Sequence, residues 1–159
     1  MPGYNGRVVR VLVSACLAGE AVRYDGGALP CSDPLLARWT AEGRVIPFCP
    51  EVAGGLPVPR PPAEIAGSRV LTIDGRDVTA AFLAGAEEAL ATGVRVAVLK
   101  DHSPSCGTSA VHDGTFRGVL RPGEGVAAAL LRPHGVAVFN ERELERADAH
   151  IRRLEEGLQ

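Results

Sequence analysis

Aromatic residues make up only 4% of this 159-residue chain. Hydrophobic residues still reach 46%, so valine, leucine and alanine must do the packing. No apolar run approaches the ~20 residues of a membrane helix, which excludes a membrane-spanning helix. The first ten residues lack the apolar core of a signal peptide, and the apolar run from Val8 to Gly19 is broken by Arg10 and reads as a strand. Neither sign of charge dominates: 17 Lys and Arg oppose 19 Asp and Glu, for a net charge of -2 and a pI near 6.1. Neither a nucleic-acid surface nor a polybasic membrane patch is expected from that balance. The phosphate-cradling patterns GxGxxG and GxxxxGK[ST] are missing, which argues against a nucleotide-binding loop. The four cysteines form no CxxC pair and follow neither zinc-ribbon nor ferredoxin spacing. A cytoplasmic, reduced setting is the expectation, and thiols there are free, metal-binding or catalytic rather than disulfide-bonded. Any site they share must be assembled by the fold.

The length fits one domain over residues 1–159. Four short apolar runs read as strands: Arg7 to Ala15, Arg44 to Phe48, Val94 to Lys100, and Gly135 to Asn140. Nearly continuous Val, Leu and Ile suit strands buried on both faces, as in a parallel sheet. Between them lie helices with legible ends. Asp33 and Pro34 open one that closes at Gly43. A second spans Asp77 to Gly93, a short third lies between Gly123 and Gly135, and a charged one follows from Glu141. Two hairpins are expected at the Asp-Gly pairs 74–75 and 113–114. The order predicts an α/β fold: a compact three-layer domain with a mostly parallel four-stranded core sheet, helices on both faces and two small hairpins.

Three cysteines occupy corresponding places on this map. Cys16 follows the first strand, Cys49 the second, and Cys106 the third by a short loop. With parallel, adjacent strands they collect at the carboxyl edge of the sheet, where open α/β folds bind ligands. Taken singly, each thiol also fits a small buried apolar residue. Together, and flanked by small or stiff neighbours in "SACLAG", "FCPEVAGG" and "SPSCG", they suit a thiolate-held metal or iron–sulfur cluster. Cys31 breaks the pattern, in a Gly/Pro-rich loop before a helix. Glu51, beside Cys49, is the acid/base candidate, and Ser103, three residues before Cys106, the candidate for contact with substrate or water. A loop or capping hydrogen bond is the plainer role for Glu51. Arg23, Asp25, Lys100, Asp101 and His102 lie near the same loops; Lys100 also fits a surface residue. Arg60 and Glu64 read as an ion pair of a rigid loop, and His102 and His112 as solvated histidines or metal ligands.

The segments "VLVSACLAGEAVRYDGG", "VIPFCPEVAGGLPVPRPPAEI", "DVTAAFLAGAEEAL" and "VAVLKDHSPSCGTSAVHDGTFRGVLRPGEGVAAALLRPHGVAVFNE" together resemble the bacterial thiouracil desulfurase family, from Val11 to Glu141. The resemblance implies a [4Fe-4S] cluster held by three cysteines, which map onto Cys16, Cys49 and Cys106. It implies non-redox removal of sulfur from a thiocarbonyl nucleobase such as 2-thiouracil, with sulfur taken at the open iron and oxygen from water replacing it. Glu51 and Ser103 stay candidates by position alone. The competing reading is a non-enzymatic iron–sulfur or zinc-binding sensor; zinc calls for Cys31 as fourth ligand.

Overall fold

A computed structural model describes residues 8–157. In chain order its elements are β1 (Val11–Ser14), α1 (Pro34–Ala41), β2 (Val45–Phe48), α2 (Pro50–Ala53), β3 (Ala63–Ala66), β4 (Arg69–Thr72), α3 (Thr79–Ala91), β5 (Val96–Leu99), β6 (Ala110–His112), β7 (Leu120–Pro122), α4 (Val126–Leu131), β8 (Ala137–Asn140) and α5 (Leu144–Gly157). The four apolar runs form one wholly parallel sheet in the order β2-β1-β5-β8. Each strand is shorter than its apolar run; Arg7, expected in the first strand, lies outside the described residues.

Alternate residues of each strand enter different cores, because side chains of a strand point to opposite faces. Val11, Val13, Val96 and Val98 pack with Leu36 and Trp39 of α1 and with Leu144, Ala147 and Ile151 of α5. Leu12, Ala97, Leu99 and Val138 pack with Ala89 of α3 and Ala128 and Leu131 of α4. With both faces covered, nearly every sheet position is apolar. Asp33 caps α1 by accepting the Leu35 N–H at 2.9 Å, with Pro34 at the first helical position. The Trp39 indole N–H donates to Asp148 of α5 at 3.0 Å, so that the lone tryptophan is buried without an orphaned donor.

The hairpins depart from expectation. β4 pairs with β3 across Gly67 and Ser68, while the Asp74-Gly75 turn closes only a single bridge from Leu71 to Asp77. β6 pairs with β7 across residues 113–119, a loop that Asp113-Gly114 merely begins. Asp-Gly specifies a turn locally; which strands then pair depends on partners farther along the chain. The helix α2, directly after Cys49, was not legible: four residues carry too little periodicity.

β1 lies inside the sheet; from it the chain moves outward to β2, then returns past β1 to β5. Neighbouring strands β1 and β5 thus leave in opposite directions, and a crevice opens at their carboxyl ends.

Candidate functional site

In-register pairing sets the site's frame. Ser14, the last residue of β1, lies level with Phe48, the last of β2. Cys49 leaves β2 directly and Cys16 leaves β1 one residue past Ala15, at the same edge. The N–H of Lys100, just past β5, donates to the Ser14 hydroxyl at 2.9 Å.

Cys49 and Glu51 are aimed by α2, which rests on α3 through two glycines. A Cβ on Gly85 would fall 1.7 Å from the Pro50 carbonyl oxygen, and one on Gly54 1.9 Å from that of Ala81. Only glycine permits this backbone-to-backbone approach.

Cys106 is aimed by the loop from Asp101 to Gly107. The first N–H groups of a helix have no partner within it, and here those of α4 hold the loop: Val126 donates to Pro104 at 2.9 Å and Ala127 to Ser105 at 2.8 Å. Below it lies the fully buried Asp101 carboxylate, which accepts the N–H groups of His102, Thr108 and Ser109, the Ser109 hydroxyl and the Arg142 guanidinium. Burial works to raise the Asp101 pKa; the bonds from Ser109, Thr108 and Arg142 outweigh it and hold the carboxyl far below its ordinary range.

These loops enclose a cavity of about 380 Å³, and Cys16, Cys49 and Cys106 all line it, with Glu51 and Ser103. Burial raises the pKa of each thiol, to about 12 at Cys106, where hydrogen bonds from Ser14 and Ser105 act against the rise. Cys49 adds to the rise at Cys16, and both add to it at Cys106, so the thiols lie within reach of one another's charge.

Glu51 is bound at both oxygens. Oε1 accepts from Arg60 Nε at 3.0 Å, and Oε2 accepts from the Ser105 hydroxyl at 2.8 Å. Arg60, its side chain 5% exposed, also donates to the carbonyls of Val22 and Pro57, tying three segments over the cavity. Its carboxylate partner is thus Glu51, and the Arg60–Glu64 pair expected from sequence does not form. The Ser103 hydroxyl accepts the Cys106 N–H at 2.8 Å and lies 3.3 Å from that of Ser105. Ser105 Oγ in turn stands 3.7 Å from Cys106 Sγ. Ser105 therefore links carboxylate, serine and thiol, and sequence reading missed it; its nearness to Cys106 was the available signal.

Among the other positions, Arg23, Lys100, Asp101, His102 and His112 line the cavity, while Asp25 pairs with Arg23 outside it. Lys100 is no free surface residue: its ammonium meets Glu141 at 2.7 Å. Cys31 does not line the cavity and packs against the core beneath α1 and α5.

Among the described residues no three His, Cys, Asp or Glu side chains converge on a point that would hold one metal ion. A zinc ion needs sulfur ligands at about 2.3 Å from one centre. Together with the position of Cys31, this disfavours the zinc reading. Three thiols grouped in one cavity without meeting at a point do fit a multi-iron cluster, which spreads its ligands.

Fold and site thus define a doubly wound α/β protein whose switch-point cavity is walled by thiols. The chain belongs to the 2-thiouracil desulfurase family, which it matches over residues 11–143. It is 36% identical to the uncharacterized protein YbbK of Bacillus subtilis (strain 168), over 84% of this chain and 97% of that protein. It is 50% identical to a solved structure described as the [4Fe-4S]-dependent thiouracil desulfidase TudS, which superposes with a TM-score of 0.87 over 90% of this chain and 97% of that one.

Proposed function

We propose that this protein is a [4Fe-4S]-dependent desulfurase that converts a thiocarbonyl nucleobase such as 2-thiouracil, with water, to the oxo base and hydrogen sulfide. Cys16, Cys49 and Cys106 are its cluster ligands, and Glu51 and Ser103 act on substrate and water. The observation that carries the reading is the convergence of three strand-end thiols on one cavity that also holds a nearly buried carboxylate. Membership of the 2-thiouracil desulfurase family and the 50% identity to TudS support it. Three thiolates leave one iron position free, and the bound cluster would supply there a soft Lewis acid for the thiocarbonyl sulfur.

The protein's own groups supply positioning and proton transfer. Arg60 holds one oxygen of Glu51 and keeps the carboxylate turned toward Ser105. When Ser105 yields its bond, the freed oxygen takes a proton from the attacking water and passes it to the departing sulfur; the second water proton follows as the new C–OH becomes the carbonyl, so that the C–S bond breaks and sulfur leaves as hydrogen sulfide. Ser103, whose oxygen accepts the Cys106 N–H, keeps its own O–H to donate toward Ser105 or the ligand. The reaction moves protons and no net electrons, so no redox partner is required. We assign the whole chain, residues 1–159, to one domain and place it in the cytoplasm, in keeping with its four unbonded cysteines.

The test is anaerobic reconstitution followed by incubation with 2-thiouracil. Equal amounts of uracil and sulfide, released over many turnovers without a reductant, are expected. A fully loaded protein that frees no sulfide from any thiolated nucleobase overturns the proposal.

A further inference from the structure

We propose that His112 and Glu64 read the oxo–amide edge of the substrate heterocycle, His112 donating to the ring carbonyl and Glu64 accepting the adjacent ring N–H. This rests on the desulfurase reading and specifies its substrate class as 4-oxo-2-thiopyrimidines. Both residues line the same cavity as the thiols, and neither is used in the proton transfer described above. They reach it from the two hairpins, β3 and β6, which pack on each other.

His112 is half-buried. Its Nδ1 is sealed from solvent and has no hydrogen-bond partner among the described residues. A buried N–H left without an acceptor is destabilising, and orphaned buried N–H groups are rarer than under-satisfied acceptors. In the neutral ring the proton therefore sits on Nε2. That nitrogen is not among the sealed, unpartnered atoms and has no protein partner among the described residues, and since His112 lines the cavity, it is the N–H left to donate there.

Glu64 is 9% exposed and anchored on one side. Its Oε1 accepts the N–H of Gly114 at 2.9 Å and of Phe116 at 3.0 Å. Oε2 carries no hydrogen bond among the described residues and is likewise not sealed. A carboxylate gripped at one oxygen presents the other in a set direction. One fixed donor and one fixed acceptor complement the neighbouring carbonyl and N–H of a 4-oxopyrimidine. A site built with such groups rejects analogues that leave them unpaired.

The experiment uses cluster-loaded protein, loading being checked by visible absorbance. Turnover is measured with 2-thiouracil and with pyrimidine-2-thione, which lacks the 4-carbonyl; binding of uracil is measured by calorimetry. We expect wild type to favour 2-thiouracil in kcat/KM by tenfold or more. His112→Phe should remove most of that preference by lowering kcat/KM for 2-thiouracil about tenfold, the scale of one hydrogen bond, with little effect on pyrimidine-2-thione. It should weaken uracil binding to the same extent. Glu64→Gln keeps the anchoring oxygen but turns a donor toward the ring N–H, and should act in the same direction should the first variant fold poorly. Wild type that handles the two substrates equally, or variants that keep both the preference and the uracil affinity, overturn the inference. Wild type that binds uracil and 2-thiouracil but frees no sulfide, with binding weakened in the variants, overturns the desulfurase reading and leaves the recognition pair standing.

Discussion

Replacing Gly85 by alanine tests how tightly the fold holds the site. The new Cβ would lie 1.7 Å from the Pro50 carbonyl oxygen. A close carbon–oxygen contact is about 3.3 Å, so α2 and α3 must separate by roughly 1.6 Å. Helix propensity favours the change, since alanine gains about 1 kcal/mol over glycine inside a helix. Overpacking a filled core costs about 1–3 kcal/mol, and this clash is with backbone, which no rotamer change relieves. The cost therefore lies at the upper end, about 2–3 kcal/mol, and less the gain of about 1 kcal/mol it leaves a net loss of about 1–2 kcal/mol. For a chain of this size, that lowers Tm by roughly 2–8 °C. The displacement also falls on Pro50, between Cys49 and Glu51, and a 1 Å misplacement at a reacting group costs about 100-fold in rate. Thermal unfolding, cluster absorbance and turnover of 2-thiouracil would be measured on the same samples. A Gly85→Ala protein with unchanged Tm and full activity would show that the α2–α3 contact does not position the site.

Serine substitution of Cys16, Cys49 or Cys106 should each abolish a stable cluster, counted as iron and sulfide per chain. Cys31→Ser should load normally, because Cys31 does not line the cavity; cluster loss there alone would reverse the ligand assignment. Glu51→Gln and Ser105→Ala should keep the cluster spectrum and lose about 100-fold or more in kcat, the low end of what a positioned proton-transfer group contributes; wild-type kcat in both variants would confine them to packing. Asp101 ties its loop to the sheet with a pKa held far below the ordinary range. Its folded value being lowered, the stabilisation is complete above the unfolded pKa of about 3.9 and is lost as pH falls toward the folded value. Asp101→Asn should therefore cost about 1.5–3 kcal/mol at pH 7, and the gap in Tm from wild type should narrow below pH 4; a gap independent of pH down to pH 2 would refute this account.

The core sheet was legible because its strands are buried on both faces, and continuous Val/Leu/Ile runs follow from that burial. The ends of α1 were legible for a similar reason: Asp33 and Pro34 satisfy a helix start by local chemistry alone. From strand order and chain position, the sequence also singled out Cys16, Cys49 and Cys106, since residues just past parallel strands must emerge at one edge. It did not reveal Ser105 as the partner of Glu51, nor that Arg60 pairs with Glu51 instead of Glu64. Those bonds join residues 54 and 9 positions apart, and nothing local selects one carboxylate over another. The pairing of the hairpins, the glycine contact that seats α2 on α3, and the placing of His112 and Glu64 in the thiol cavity were likewise decided only in three dimensions. Periodicity and caps report what each segment needs from its own neighbours. Which side chains finally meet depends on how the layers stack, and packing sets that only after distant segments have come together.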